Sequence, residues 1–96
     1  MIRSFGNQLA DDLFNDFRSA TSRQFSAELR RAAQRKLQYL HAAAKLQDLG
    51  VPPGNRLEAL KGRLKGYHSI RINDQWRVIF KWQDGGPSNV QIVDYH

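Results

Sequence analysis

The stretch Gly50-Val51-Pro52-Pro53-Gly54-Asn55 divides this chain into two halves that cannot share one kind of secondary structure. Two adjacent prolines remove backbone donors and hold φ, so no helix runs through them, and Gly50 is a natural stop for the helix that arrives. Before the break, apolar residues recur at helical spacing; after it, they alternate. A chain with helices first and alternating strands afterwards is expected to pack the helices on one face of an antiparallel sheet. The expected fold class is therefore α+β in two layers, with two N-terminal helices over a small antiparallel β-sheet. The 96 residues, 41% of them hydrophobic, suffice for one core, and no repeat or linker interrupts them, so residues 1–96 are expected to form a single domain.

In the first half, Ile2 to Phe5 reads as a short strand able to join the sheet edge. Leu9, Ala10, Leu13, Phe14 and Phe17 then follow a helical period, with Asn7 as N-cap and Asp11 and Asp12 near the positive end of the dipole. A second helix is expected from about Ser22 to Leu49, burying Leu29, Ala33, Leu37, Leu40 and Ala44 and turning Arg31, Arg35, Gln38 and Lys45 outward. In the second half, "YHSIRI", "WRVIFKW" and "NVQIVDY" form a three-stranded meander joined at Asn73-Asp74 and at Asp84 to Pro87. Those turns set Ile70 opposite Arg77 and Ile79 opposite Ile92. They also set Arg77 opposite Asp94, on the same face as His96, with Trp76, Val78, Phe80, Val93 and Tyr95 on the other. An Arg77–Asp94 pair on its own reads as an ordinary cross-strand ion pair. His68 reads as structural, and Trp76 and Trp82 as core or interface anchors.

Charge narrows the function. Fifteen Lys and Arg against nine Asp and Glu give +6, and ten of the fifteen are arginine, whose planar fork matches phosphate oxygens two at a time. Arg56, Lys61, Arg63, Lys65 and Arg71 lie within one stretch interrupted by two glycines, a loop able to bring cations to phosphate, although it has no P-loop pattern. The absence of cysteine excludes disulfides, thiolate zinc sites and a cysteine nucleophile, and His41, His68 and His96 have no metal-ligand spacing. No cofactor or metal is expected. The N-terminus lacks the apolar core of a signal peptide and no run has membrane-spanning length, so a cytoplasmic protein without membrane contact is expected.

The opening MIRSF, the central RLEALKG, the block GYHSIRINDQWRVIF and the terminal DYH together resemble the HigB toxins, a branch of the RelE-like toxins of bacterial toxin–antitoxin systems. The resemblance runs in order from end to end. It implies a metal-independent endoribonuclease that cuts messenger RNA in the ribosomal decoding site, with mRNA and the ribosome as partners. It also implies neutralisation by a helix-turn-helix antitoxin of the HigA type, with promoter DNA reached only through the antitoxin complex. Carried over residue by residue, the family's lysine falls on Lys61, its NxxWR arginine on Arg77, and its terminal trio on Asp94, Tyr95 and His96. Glu58 stands where several relatives have histidine, and a subgroup that also reads RLEAL is associated with mild toxicity, which implies weak activity.

Metal-free RNA cleavage uses the 2′-hydroxyl as nucleophile and needs a base, an acid and cations for the charge that grows on phosphorus. His96 is the expected acid, because imidazole titrates near neutral pH, with Asp94 orienting it. Lys61 and Arg77 are expected to hold the scissile phosphate, Tyr95 to donate a hydrogen bond or stack on a base, and Glu58 is a candidate base. Arg56, Arg63, Lys65 and Arg71 are expected RNA-phosphate contacts. Two other readings fit the same fold: a toxin acting without cleavage on a protein such as gyrase, and an RNA-binding inhibitor of ribosome assembly.

Overall fold

A computed structural model describes residues 1–95; His96 lies outside the described residues. Two α-helices, α1 (Gln8–Phe14) and α2 (Ala27–Ala42), precede a four-stranded sheet of β1 (Glu58–Ala59), β2 (His68–Arg71), β3 (Trp76–Gln83) and β4 (Gly86–Asp94). The strands lie in sequence order, each antiparallel to the next.

Asn7 caps α1 as expected, its Oδ1 accepting from Ala10 N at 3.1 Å. The same side chain pairs with β4, donating from Nδ2 to Ile92 O at 2.9 Å and accepting from Ile92 N at 3.3 Å. One asparagine thus starts the helix and docks its N-terminus on the sheet. The helix ends at Phe14, because Asn15 closes the last turn and Asp16 takes a left-handed φ of 54°, which leaves Phe17 outside it and 62% exposed. The second helix is shorter than the expected 22–49. Ser26 is extended and caps α2 with Oγ accepting from Leu29 N at 3.1 Å, and Ala43 leaves the helix in an extended conformation. Separate 3-10 turns cover Ser22–Gln24 and Leu46–Gly50, and Ala44 is exposed.

The segment Ile2 to Phe5 does reach the sheet edge, but it runs parallel to β4 with a single bridge, Phe5 to Val90. Its backbone bonds are Arg3 N to Pro87 O, Val90 N to Ser4 O and Gly6 N to Val90 O. The close approach requires Gly6, since a Cβ there would collide with the Asn89 and Gln91 side chains. Leu9, Leu13, Leu37, Leu40, Ile70, Val78, Phe80, Val90 and Ile92 fill the core between helices and sheet.

Both turns differ from the expected ones, and each moves the register. Asn73 Oδ1 accepts from Gln75 N (2.9 Å) and Trp76 N (2.7 Å), and Ile72 N donates to Trp76 O at 3.0 Å. That closes a three-residue loop instead of a two-residue turn, so Arg71 faces Arg77 and Ile70 faces Val78. The second turn is the two-residue Asp84-Gly85, both at positive φ, which suits a tight hairpin. A bulge then falls between Ile79 and Lys81, and on β4 Asn89 takes a left-handed φ of 53° there. Arg77 consequently faces Val93, and Trp76 faces Asp94. His68, Ile70 and Ile72 share the core face with Val78 and Phe80, where His68 stacks on Phe80. Trp76 packs on Phe25 with ring centroids 4.8 Å apart, an anchor as expected.

The fourth strand, β1, exists because Asn55 organises the turn before it. Fully buried, Asn55 donates from Nδ2 to Leu49 O (3.1 Å) and Val51 O (3.3 Å) and accepts from Lys36 Nζ at 2.6 Å. Burial, aided by neighbouring Arg35 and Arg71, holds the Lys36 pKa below the ordinary lysine value. The Asn55 carbonyl offsets part of that cost. Replacing Asn55 by alanine strands all three groups, and a loss of about 2 kcal/mol is expected in urea unfolding. An unchanged midpoint would show that Asn55 does not organise this turn.

Candidate functional site

One face of the sheet is covered by the helices, and strand alternation collects the polar and charged side chains on the other. Glu58 faces Ser69, Ser69 faces Ile79, and Ile79 faces Gln91, so these four cross the open face as one row. Leu60 N bonds Tyr67 O, which puts Leu60 and Tyr67 in the next row. Leu60 and Ile79 are buried although they lie outside the main core cluster, so the loop after β1 covers part of this face. Arg71, Arg77 and Val93 form the row at the other end, with Tyr95 two residues beyond Val93 on the same face.

Arg77 is held from three sides. Its Nη1 lies 3.3 Å from Ser69 Oγ and 3.7 Å from Glu58 Oε1, and its guanidinium carbon sits 4.7 Å from the centre of the Tyr95 ring. The side chain is only 14% exposed, whereas that of Glu58 is 50% exposed. Three restraints leave the guanidinium few rotamers, so it is presented in one orientation with its charge already compensated at one edge. Tyr95 stays in the sheet through its N–H to Gln75 O at 2.7 Å.

Arg77 does not face Asp94 as expected, but Val93. The corrected register places Asp94 opposite Trp76, where Gln75 Nε2 donates to its Oδ2 at 3.0 Å, and Glu58 takes the place beside Arg77. The same correction brings Tyr95 to the Arg77 face, from which the expected register had turned it away. His96, expected beside them, lies outside the described residues.

Lys61 is exposed at the start of a 3-10 turn (Gly62–Leu64) that returns through Tyr67 N to Leu64 O. Gly62 and Gly66, at φ of 64° and 96°, make this excursion possible, and Lys61, Arg63 and Lys65 fan outward from it. Lys61 follows Glu58 by three residues, about 10 Å along an extended strand. Arg56 is exposed in a left-handed conformation, and Arg71 is paired with Asp74 at the hairpin.

Four further residues take part here that the sequence reading does not single out: Ser69, Tyr67, Lys81 and Asn89. Ser69 orients Arg77. Lys81 lies over the Tyr67 ring at 5.0 Å, and Asn89 Nδ2 donates to the Tyr67 hydroxyl. Alternation from Arg77 already places Lys81 on its face, and that was the available signal. Two cations, each seated on a tyrosine, therefore stand about 13 Å apart along β3 with Glu58 and Ser69 between their rows. Such a face can seat a polyanion and hold a carboxylate near it. Among the described residues no group of three or more His, Cys, Asp or Glu side chains is placed to hold a metal ion. Nor is any helix there long and apolar enough to cross a membrane.

Comparison with known proteins agrees with this fold. Among solved structures, the YoeB–YefM complex from Staphylococcus aureus superposes with a TM-score of 0.63 at 19% identity, covering 100% of this chain and 98% of the matched one. A YafQ mutant from E. coli gives 0.60 at 20% identity over 98% of this chain and 91% of that one. At these identities the likeness is one of fold. In sequence, Toxin HigB-1 of Vibrio cholerae serotype O1 is 47% identical over 92 residues, 96% of this chain and 95% of that protein. An uncharacterized protein of Haemophilus influenzae is 32% identical over 72 residues, 75% of this chain and 71% of that protein. The model of the HigB-like toxin family, described as the RelE-like toxin of type II toxin–antitoxin system HigB, matches residues 3–96. The chain therefore belongs to the HigB-like toxins of type II toxin–antitoxin systems.

Proposed function

We propose that this toxin is a metal-independent, ribosome-dependent mRNA endonuclease, neutralised by a HigA-type antitoxin. The observation that carries the reading is Arg77, held by Ser69, Glu58 and Tyr95 on the open face of the sheet. A guanidinium fixed before substrate arrives supports a pentavalent phosphorane without reorganising at the moment of reaction. In the proposed step the substrate 2′-oxygen bonds to phosphorus as the bond to the 5′-oxygen breaks. The products are a 2′,3′-cyclic phosphate and a 5′-hydroxyl. Glu58 takes the 2′-hydroxyl proton, and His96 gives a proton to the leaving 5′-oxygen. Arg77 neutralises the non-bridging oxygens, and Lys61 with Lys81 holds the flanking backbone. Tyr95 offers its ring edge or hydroxyl to a base. Asp94, bonded to Gln75, steadies the end of β4 that carries His96. Arg56, Arg63 and Lys65 guide the strand electrostatically.

A purified translation reaction with labelled mRNA tests this against the other targets open to the fold. New 3′ ends that appear only when ribosomes are present are expected. Intact mRNA with trapped gyrase–DNA complexes, or intact mRNA with altered ribosomal subunit profiles in cells, would replace the nuclease reading.

A further inference from the structure

On the helical side of the molecule, opposite the face that carries Arg77, the α1–α2 link and the first turns of α2 border a half-open cavity of about 500 Å³. Four arginines line it: Arg18, Arg23, Arg30 and Arg31. Ala27, the first residue of the 16-residue α2, also lines it, so the positive end of that helix opens on the same space. Arg30 is the unusual member. It is only 6% exposed, and its Nη2 is used, donating to Ser22 O at 3.0 Å and to Ser22 Oγ at 3.2 Å. Its Nη1 has no hydrogen-bond partner among the described residues. The carboxylate that pairs with it, Asp16 Oδ1, stands 3.6 Å away on a side chain 61% exposed, and it is already bonded by Gln34 Nε2 at 3.0 Å.

A buried guanidinium whose Nη1 meets only a half-exposed carboxylate at 3.6 Å is incompletely compensated, and an anion that displaces Asp16 would complete it. The surrounding charges specify that ligand as an anion. Phe17, between the cavity residues Asp16 and Arg18 in sequence, is 62% exposed. The apolar lining, Phe25 and Ala27, offers little to anchor a protein side chain, since Phe25 is buried and packed on Trp76. Four arginines at a cavity, with an exposed aromatic residue next to two of its lining residues in sequence, suit a nucleic-acid backbone with an unpaired base better than an acidic peptide.

We infer that this cavity is a second, non-catalytic anion site that takes a backbone phosphate of folded RNA, with Phe17 stacking on an adjacent unpaired base. It rests on the RNA-directed reading above for the choice of RNA, while the anion site stands on its own geometry. A strand on the Arg77 face and RNA at the cavity are then held on opposite sides of one sheet.

The test is binding of an RNA hairpin with an unpaired loop, followed by fluorescence anisotropy over a range of salt. The triple variant Arg18→Gln, Arg23→Gln, Arg31→Gln is compared with Arg3→Gln, Arg35→Gln, Lys45→Gln. The second set removes equal charge from residues outside both sites. The cavity variant is expected to bind about tenfold more weakly, with a salt slope shallower by about one for each phosphate it no longer neutralises. The control set is expected to weaken binding by about threefold or less. In the unmutated toxin, the Arg30 Nε–H resonance is expected to shift saturably with the same RNA. Equal weakening in the two variants, an unmoved Arg30 resonance, or equal affinity for a polyglutamate peptide of matched charge would overturn the inference. Ribosome-dependent cleavage is read in parallel. A toxin that proves not to cut, yet binds RNA less well in the cavity variant, refutes the nuclease reading and supports this site.

Discussion

Arg77→Gln is expected to lower ribosome-dependent mRNA cleavage by about a hundredfold to a thousandfold, the range for losing one preorganised group aimed at developing charge. The fold should survive. Arg77 packs on the open face, away from the main core, and its ion pair is with a half-exposed Glu58, which water can take over. Arg77→Lys separates charge from shape. Lysine keeps the positive charge but cannot reach Ser69 and Glu58 with one plane while lying flat on Tyr95, so most of the loss should remain. Cleavage rates with saturating ribosomes, beside a thermal melt of each variant, measure both points. Full activity in Arg77→Lys would mean that a point charge is enough, and the orientation argument would fail.

Glu58→Gln should pull binding and cleavage in opposite directions. The carboxylate lies 3.7 Å from Arg77 Nη1 and competes with an incoming phosphate for it. Without that charge, RNA is expected to bind about two- to fivefold more tightly, the range for an exposed ion pair. If Glu58 is the base that accepts the 2′-hydroxyl proton, the same change slows cleavage by about a hundredfold. Measuring the dissociation constant and the single-turnover rate separately shows both effects. Tighter binding with unchanged cleavage would remove Glu58 from the chemistry and leave it as a brake on substrate entry. A carboxylate can thus occupy a phosphate-binding face, because Arg77 neutralises it until RNA competes.

The helical and alternating halves were legible because each rests on a period repeated several times. Leu37, Leu40, Ile70, Val78 and Phe80 fall where those periods put them, fully buried. The register was not legible, because it depends on single side chains. Asn73 turns a two-residue link into a three-residue loop, and the bulge at Asn89 shifts β4 once more. The bulge, together with the tight Asp84-Gly85 turn, exchanges Asp94 for Tyr95 beside Arg77, so one residue of slip rewrites the composition of the candidate site. Two residues are too few to show alternation, so β1 escaped notice, and with it the approach of Glu58 to Arg77. Arg77 itself was recognisable from its motif, and Lys81 from parity alone. Arg30 was hidden for another reason. It sits beside the apolar stripe of α2, and only the fold of the α1–α2 link shows that it is buried with its Nη1 lacking a hydrogen bond among the described residues.

The central claim is that the reacting phosphate lies on the open sheet face against Arg77. The most direct measurement is a structure of the toxin on a translating ribosome whose decoding-site mRNA carries a 2′-deoxy block at the cut position. The scissile phosphate is expected within hydrogen-bonding distance of the Arg77 guanidinium, roughly 3 Å, with Glu58 displaced from its present position. An mRNA strand that passes the sheet face without touching Arg77, or that lies against the helices instead, would contradict it.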